Sequence, residues 1–103
     1  MDENDLIELP IDGILDLHTF PPKDVKELVP DYLSACREQG IFQVRIIHGK
    51  GSGTLRRMVH SILGRLQEVD FFRLAGDNAG QWGATIVMLK KEVGSVLTPP
   101  KPV

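Results

Sequence analysis

The sequence predicts an α/β fold in which two helices cover one face of a four-stranded sheet as a two-layer sandwich. Segments with strand character alternate with two segments of helical periodicity, and the resulting element order is βαβαββ. Strand–helix–strand units require parallel strands joined by right-handed crossovers. Each predicted helix carries its apolar residues on one side only, so both helices belong on the same face of the sheet. The other face is therefore predicted to be partly open to solvent or to a partner.

The first predicted strand covers residues 11–18 and carries two polar side chains on one side. Successive side chains of a strand alternate between its faces, so Leu15 and Leu17 share one face while Asp16 and His18 share the other. A carboxylate can fix the orientation of a neighbouring imidazole, which makes this pair a candidate for proton transfer.

Two stretches have the i, i+3, i+4, i+7 spacing of an amphipathic helix. The first helix is predicted from the turn at residues 19–22 to about Gln39, and the second starts at Thr54, a predicted N-cap. Cys36 lies on the first apolar stripe and is assigned to the core, whereas His60 lies off the second and is predicted to be a solvated surface histidine. The two stripes are Val25, Leu28, Val29, Tyr32, Leu33, Cys36 and Leu55, Met58, Val59, Ile62, Leu63, Leu66.

Three further strands complete the predicted sheet, at residues 41–47, 69–74 and 84–89. The segment 41–47 is apolar nearly throughout toward its end, as expected for a central parallel strand. A polar, glycine-rich loop at 75–83 joins the last two strands.

Length and composition predict one domain at residues 11–90, preceded by a flexible acidic arm at 1–10 and followed by a disordered, proline-rich tail at 91–103. A single cysteine excludes an internal disulfide and a zinc cluster, and it favours a reducing, cytoplasmic setting. No apolar run approaches the ~20 residues of a membrane span, and the acidic N-terminus is not that of a signal peptide. A monomer is compatible with these features, and the oligomeric state is left open.

The net charge of −2 conceals a strong local pattern. Residues 1–38 contain ten acidic and three basic residues, whereas residues 39–67 contain five basic residues and no acidic one. A basic field confined to one segment fits a polyanionic ligand better than a uniform charge would.

That basic segment is centred on a glycine-rich turn that follows the second strand and opens the second helix. Its glycines let a ligand approach the main chain, and a helix N-terminus offers N–H groups and a positive dipole end to an anion. The spacing fits neither the Walker A loop nor the dinucleotide-binding GxGxxG motif. The predicted phosphate-binding residues are Gly49, Lys50, Gly51, Ser52, Gly53, Thr54, Arg56 and Arg57.

His48 ends the second predicted strand, as His18 ends the first, so both belong at the same carboxyl edge of the sheet. With Asp16 they are the predicted catalytic residues, because two histidines can supply the base and the acid of phosphodiester cleavage. The same three side chains are an alternative ligand set for Mg²⁺ or Mn²⁺. RNA cleavage through the 2′-OH needs no metal, whereas DNA cleavage requires an activated water, for which a metal is favoured.

These motifs resemble those of the Smr, or small MutS-related, domain family. Residues 15–18 (LDLH) resemble its first motif, and residues 46–53 (IIHGKGSG) with 55–56 (LR) resemble its HGxG segment. Residues 83–85 (GAT) are similar to the start of its closing strand, and the likeness covers about residues 14–89.

The resemblance implies a fold like the C-terminal domain of translation initiation factor 3, with a mixed four-stranded sheet. It implies nucleic-acid binding and, for several members, endonuclease activity that nicks DNA or cleaves RNA. By carry-over, Asp16 and His18 match the LDLH pair, and residues 48–51 match the glycine segment. Thr19 stands where the family usually has glycine, and a side chain there can narrow the cleft. The chain contains no ATPase region and so looks like the stand-alone form of the domain.

Three hypotheses follow. The first is an endonuclease acting on DNA or RNA through Asp16, His18 and His48. The second is a non-catalytic module that binds branched or structured nucleic acid. The third is a structural domain whose glycine turn serves only the fold; it leaves unexplained why two histidines end adjacent strands beside a cationic turn.

Overall fold

The computed structural model describes residues 10–49, 51–75 and 83–91. The predicted order βαβαββ is confirmed, and the elements are β1 (Ile14–Asp16), α1 (Pro22–Glu38), β2 (Gln43–Ile47), α2 (Thr54–Arg65), β3 (Val69–Leu74) and β4 (Ala84–Leu89). The arm at 1–9, most of the 75–83 loop and the tail from 92 onward lie outside the described residues.

The four strands form one mixed sheet in the order β1-β2-β4-β3. β1 and β2 are parallel, and β4 lies between β2 and β3, antiparallel to both. β1 is shorter than the predicted strand at 11–18, because the backbone bends at Gly13, whose φ is +92°. The ladder nevertheless continues past β1, since the N–H of Leu17 donates to the carbonyl of Ile47 at 2.9 Å.

Both helices cover one face of the sheet, as predicted, and the main core lies between them and that face. Leu15, Val44, Ile46 and Val87 are fully buried there against α1 and α2. Burial of a side chain of this size contributes roughly 1.5–3 kcal/mol to stability. The predicted core position of Cys36 is confirmed, and burial raises the pKa of its thiol.

A tyrosine from α1 holds the chain that enters β1. The hydroxyl of Tyr32 accepts a hydrogen bond from the N–H of Gly13 at 3.1 Å and lies 3.1 Å from the carbonyl of Ile14, to which it can donate. Desolvation raises the pKa of this hydroxyl. The tyrosine thereby fixes the start of the strand that carries Asp16.

The opposite face of the sheet is partly open, as predicted. Ile14 and Phe71 are exposed on it, while Ala75, Ala84 and Ile86 form a small buried cluster. Within the described residues, neither helix is long and apolar enough to cross a membrane.

Candidate functional site

Asp16 and His18 form an exposed pair at the end of β1. The carboxylate oxygen Oδ1 of Asp16 lies 2.8 Å from Nδ1 of His18 and accepts the backbone N–H of His18 at 2.9 Å. Their side chains are 55% and 60% exposed, respectively. One carboxylate oxygen thus fixes both the backbone and the ring of the histidine. The imidazole is oriented through Nδ1 and remains open to solvent.

The other ring nitrogen of His18 faces the start of the glycine turn. Nε2 lies 3.4 Å from the point that a β-carbon on Gly49 would occupy. Gly49 has a φ of +86°, a left-handed conformation that favours glycine. The turn therefore passes next to Nε2 of the oriented imidazole, as the prediction of adjacent strand ends requires.

His48 also lies at this edge, but its side chain points to the opposite side of the sheet from Asp16. It lies on the same buried face of β2 as Val44 and Ile46 and is only 4% exposed. Its Nδ1 is 3.1 Å from the carbonyl of Gly49, and its Nε2 is 2.8 Å from Oγ1 of Thr85. Both nitrogens of His48 are thus engaged inside the protein, and the structure does not bring the ring together with Asp16 and His18.

His60 was predicted to be a solvated surface residue, and this prediction is wrong. Its Nε2 lies 2.8 Å from Oγ1 of Thr85, its ring stands edge-on to that of His48 at 6.1 Å, and it packs against Phe72 at 4.9 Å. It is half-buried because its position on α2, beside the apolar stripe, faces the β4 strand. Thr85, fully buried, therefore contacts two imidazoles at once.

The surroundings of both histidines favour the neutral form of the ring. Burial lowers the pKa of His48, and the nearby Arg56 guanidinium lowers it further, while the carbonyl of Gly49 opposes the shift. Burial likewise lowers the pKa of His60, with smaller contributions from His48 and Arg56.

β4 fixes the main chain at the start of the turn. The carbonyl of Gly83 accepts the N–H of His48 at 2.9 Å and that of Gly49 at 2.8 Å. Ala84 is opposite Ile47 and Thr85 is opposite Ile46 in the antiparallel register. Residues 83–85 thus hold the start of the turn in three ways. Gly83 contributes its carbonyl, Ala84 is a small buried residue, and Thr85 contributes its hydroxyl.

The N-terminus of α2 closes the turn without the predicted cap. Thr54 is the first helical residue, and the N-cap is Gly53, with a φ of +92° and no side-chain capping bond. The hydroxyls of Ser52 and Thr54 instead bond to each other at 2.9 Å. Within the described residues, the N–H groups of Leu55 and Arg56 have no hydrogen-bond acceptor, because the first helical bond comes from Arg57. They are available to an anion.

Two guanidinium groups fold back over this helix N-terminus. A β-carbon on Gly53 would lie 3.1 Å from Nη2 of Arg56 and 3.2 Å from Nη1 of Arg57. Neither arginine forms an ion pair with another residue that the structure describes. His48, Gly49, Gly51–Thr54 and Arg56 line a pocket of about 200 Å³ here. The predicted phosphate-binding residues line this pocket with two exceptions. Arg57 lies beside it, with its guanidinium next to Gly53, and Lys50 lies outside the described residues.

The comparisons with known proteins agree with this architecture. The family model described as "Smr domain" matches residues 15–90. The chain belongs to the Smr domain family. It is 40% identical over 76 residues to the endonuclease MutS2 of Brevibacillus brevis and 36% identical over 77 residues to that of Symbiobacterium thermophilum. Those alignments cover 74% and 75% of this chain but 10% of each relative, so the chain spans about a tenth of their length.

Two solved Smr structures are similar to this fold. The Smr domain of Thermus thermophilus MutS2 superposes with a TM-score of 0.72 at 31% identity, covering 76% of this chain and 98% of that one. YdaL, described as a stand-alone small MutS-related protein from Escherichia coli, also gives a TM-score of 0.72, at 27% identity, covering 82% of this chain and 69% of that one.

The alternative metal site is not assembled in this Smr domain. Among residues 10–49, 51–75 and 83–91, no group of three or more His, Cys, Asp or Glu side chains is arranged to hold a metal ion. Asp16 and His18 bond to each other, and His48 bonds elsewhere. In this arrangement the three do not form a ligand set for Mg²⁺ or Mn²⁺.

Sequence reasoning missed Thr85 and His60 as members of this site. The period-2 alternation of β2 was the available signal for His48, because Val44 and Ile46 already mark its side of the strand as buried. For Thr85 there was no comparable signal, because its place beside Ile46 depends on β4 inserting between β2 and β3.

Proposed function

We propose that this Smr domain is an endonuclease that binds nucleic acid at the glycine turn and cleaves a phosphodiester beside it. The observation that carries the proposal is the position of His18. Its imidazole is exposed and oriented by Asp16, and its Nε2 faces the first glycine of a turn that leads to unpaired N–H groups and two guanidiniums. A proton-transfer group and an anion site are thereby adjacent.

In this proposal His18 acts as the general base. Nδ1–H donates to the carboxylate of Asp16, so the neutral ring presents the lone pair of Nε2. With RNA, Nε2 takes the proton of the 2′-OH, the freed oxygen attacks phosphorus, and the bond to the 5′-oxygen breaks. The leaving oxygen takes a proton from the imidazolium, and the products are a 2′,3′-cyclic phosphate and a 5′-OH. With DNA, Nε2 takes a proton from water, whose oxygen attacks phosphorus. The bond from phosphorus to one ester oxygen then breaks, and that oxygen takes the proton from the imidazolium.

The turn and α2 stabilise the charge that develops on the phosphoryl oxygens. The N–H groups of Leu55 and Arg56 and the guanidiniums of Arg56 and Arg57 supply hydrogen bonds and positive charge at fixed positions. Removing one such donor costs an enzyme roughly 10²–10³-fold in rate. His48 supports the turn from inside the protein, through its bond to the carbonyl of Gly49.

One observation favours binding without cleavage as the second candidate. Paired acid–base chemistry would use two exposed imidazoles. Because His48 is buried, only His18 of these two histidines is exposed at this edge. Thr19 lies exposed in the turn closed by the hydrogen bond from Phe20 N–H to the carbonyl of Leu17. In this reading the same surface holds branched or structured nucleic acid uncut.

The experiment is a combined binding and cleavage assay on labelled single-stranded RNA, duplex DNA and branched DNA, each with EDTA, Mg²⁺ or Mn²⁺. Wild type is compared with Arg56→Gln/Arg57→Gln and with Lys90→Gln/Lys91→Gln. The second pair removes the same charge from exposed residues at the opposite end of the sheet. We expect only the first pair to weaken binding and to lower its salt dependence.

The outcomes separate the candidates. Cleavage of any substrate that is lost with the arginine pair supports the endonuclease. Binding without cleavage supports the non-catalytic module. No binding, or equal loss in both pairs, contradicts both readings.

A further inference from the structure

The strongest feature outside the proposed chemistry is a chain of hydrogen bonds through three buried or half-buried side chains. It runs from the carbonyl of Gly49 through His48 and Thr85 to His60. The three side chains come from the end of β2, the start of β4 and the middle of α2. A polar chain in an apolar core is costly unless every member is satisfied, so its direction can be derived.

When His48 is neutral, only one assignment of hydrogens satisfies all the groups. Because a carbonyl only accepts, Nδ1 of His48 must carry the hydrogen that it shares with Gly49. Nε2 of a neutral His48 is then an acceptor, so the hydroxyl of Thr85 donates to it. That hydroxyl has no second hydrogen, so it accepts from Nε2–H of His60. The hydrogen bonds therefore run in one direction, from His60 through Thr85 and His48 to Gly49.

We propose that Thr85 and His60 are positioning residues that fix the tautomer of His48 and, through it, the carbonyl of Gly49 and the phosphate-binding turn. The inference rests on the proposed function, since it concerns the same turn. Gly49 is held at its N–H by Gly83 and at its carbonyl by His48. With its N–H and its carbonyl both bonded, Gly49 holds the main chain in one orientation where the turn begins.

The first test needs no variant. In ¹⁵N-detected NMR of the imidazole rings at pH 7.5, we expect Nδ1 of His48 and Nε2 of His60 to be the protonated nitrogens, with Nε2 of His48 unprotonated. A His48 ring protonated on Nε2 overturns the proposal, whatever the cleavage assay shows. A protein that binds no nucleic acid contradicts the proposed function alone. The tautomer of His48 then still tests whether the chain of hydrogen bonds runs from His60 to Gly49.

The second test uses matched substitutions. Thr85→Val keeps the shape and removes the hydroxyl, whereas Thr85→Ser retains it; His60→Leu removes the donor, whereas His60→Gln retains an N–H donor. We expect Thr85→Val and His60→Leu to shift the amide resonances of residues 49–54 and to weaken dinucleotide binding about tenfold, the worth of one hydrogen bond to a charged group. Thr85→Ser and His60→Gln should restore both. Equal behaviour of the retaining and removing variants overturns the proposal.

A second, separate observation is a basic groove next to the glycine turn, and the inference drawn from it also rests on the proposed function. Arg57, Ser61 and Arg65 follow one another at i, i+4, i+8 along the exposed side of α2. With Lys26 of α1 they line a groove of about 450 Å³ whose lining residues include no carboxylate. The carboxylates of Asp24, Glu27 and Asp31 line a different groove, on α1.

We infer that the groove between α1 and α2 binds the sugar–phosphate backbone of the strand that leaves the glycine turn. Three cations and the hydroxyls of Thr54 and Ser61 fit the phosphate and sugar oxygens of a nucleic-acid backbone. From Arg57 to Arg65 the helix rises about 12 Å, which exceeds the reach of a single phosphate.

Lys26→Gln/Arg65→Gln tests this path with two ligands. The variant should bind a ten-nucleotide strand more weakly, with its salt slope reduced by about 1.4, while its affinity for a dinucleotide is unchanged. The pair Lys90→Gln/Lys91→Gln should change neither. Unchanged binding of the longer strand, or an equal loss for both ligands, overturns the inference.

Discussion

Nε2 of His18 and the α-carbon of Gly49 face each other across the ends of two parallel strands, with 3.4 Å between Nε2 and the point a β-carbon would occupy. The space between the α-carbon of Gly49 and Nε2 of His18 is therefore part of the site. A substrate phosphate next to the turn lies within reach of Nε2 only if no side chain fills that space.

Gly49→Ala tests this relationship. The positive φ of Gly49 disfavours alanine by roughly 1–2 kcal/mol, and the new methyl group would stand against Nε2. We expect cleavage to fall further than binding does, as measured by kcat and Kd with stability followed by urea unfolding. Gly40→Ala is the matched control, since Gly40 also has a positive φ, of +82°, lies outside the site, and a β-carbon there meets no atom within 4 Å. Equal losses in the two variants would contradict a specific role for Gly49.

Asp16→Asn tests the orientation of His18. Asparagine retains an acceptor for the backbone N–H but removes the charge that stabilises an imidazolium. We expect at least a tenfold loss in cleavage rate with little change in stability, because the pair is exposed. A variant that cleaves like wild type would show that the carboxylate does not assist the histidine.

The buried histidines predict a pH dependence of stability. Burial lowers the pKa values of His48 and His60 in the folded protein, so the unfolded chain binds more protons below its histidine pKa of about 6.5. The free energy of unfolding should therefore decrease as the pH falls through about 6.5, until the folded-state pKa values are passed. Urea unfolding between pH 7.5 and 5 measures the slope. His60→Gln should reduce this slope, and an unchanged slope would show that His60 titrates alike in both states.

Tyr32→Phe tests the anchor of β1. The hydroxyl serves Gly13 and Ile14, and its removal leaves the buried N–H of Gly13 without this acceptor. We expect a loss of about 1–3 kcal/mol in the free energy of unfolding, by urea titration. A loss below ~0.5 kcal/mol would mean that this hydroxyl contributes no net stabilisation.

Local patterns in the sequence were sufficient for the elements and for part of the site. The two apolar stripes predicted both helices and the buried Cys36, and strand alternation correctly placed Asp16 and His18 outward. The same alternation, applied to β2, would have placed His48 inward with Val44 and Ile46. The contacts of His48 with Thr85 and His60 could not be predicted, because they join residues 37 and 12 positions away through a strand order that no local pattern encodes.

Single-turnover cleavage by His18→Gln, with protein in excess over a labelled substrate that wild type cuts, tests the central claim most directly. Glutamine keeps the size and polarity of the side chain but cannot accept a proton at neutral pH. We predict unchanged binding and a cleavage rate lower by about 10²–10⁴-fold, the usual contribution of a general base. Cleavage at the wild-type rate by His18→Gln would contradict the assignment of His18 as the group that moves the proton.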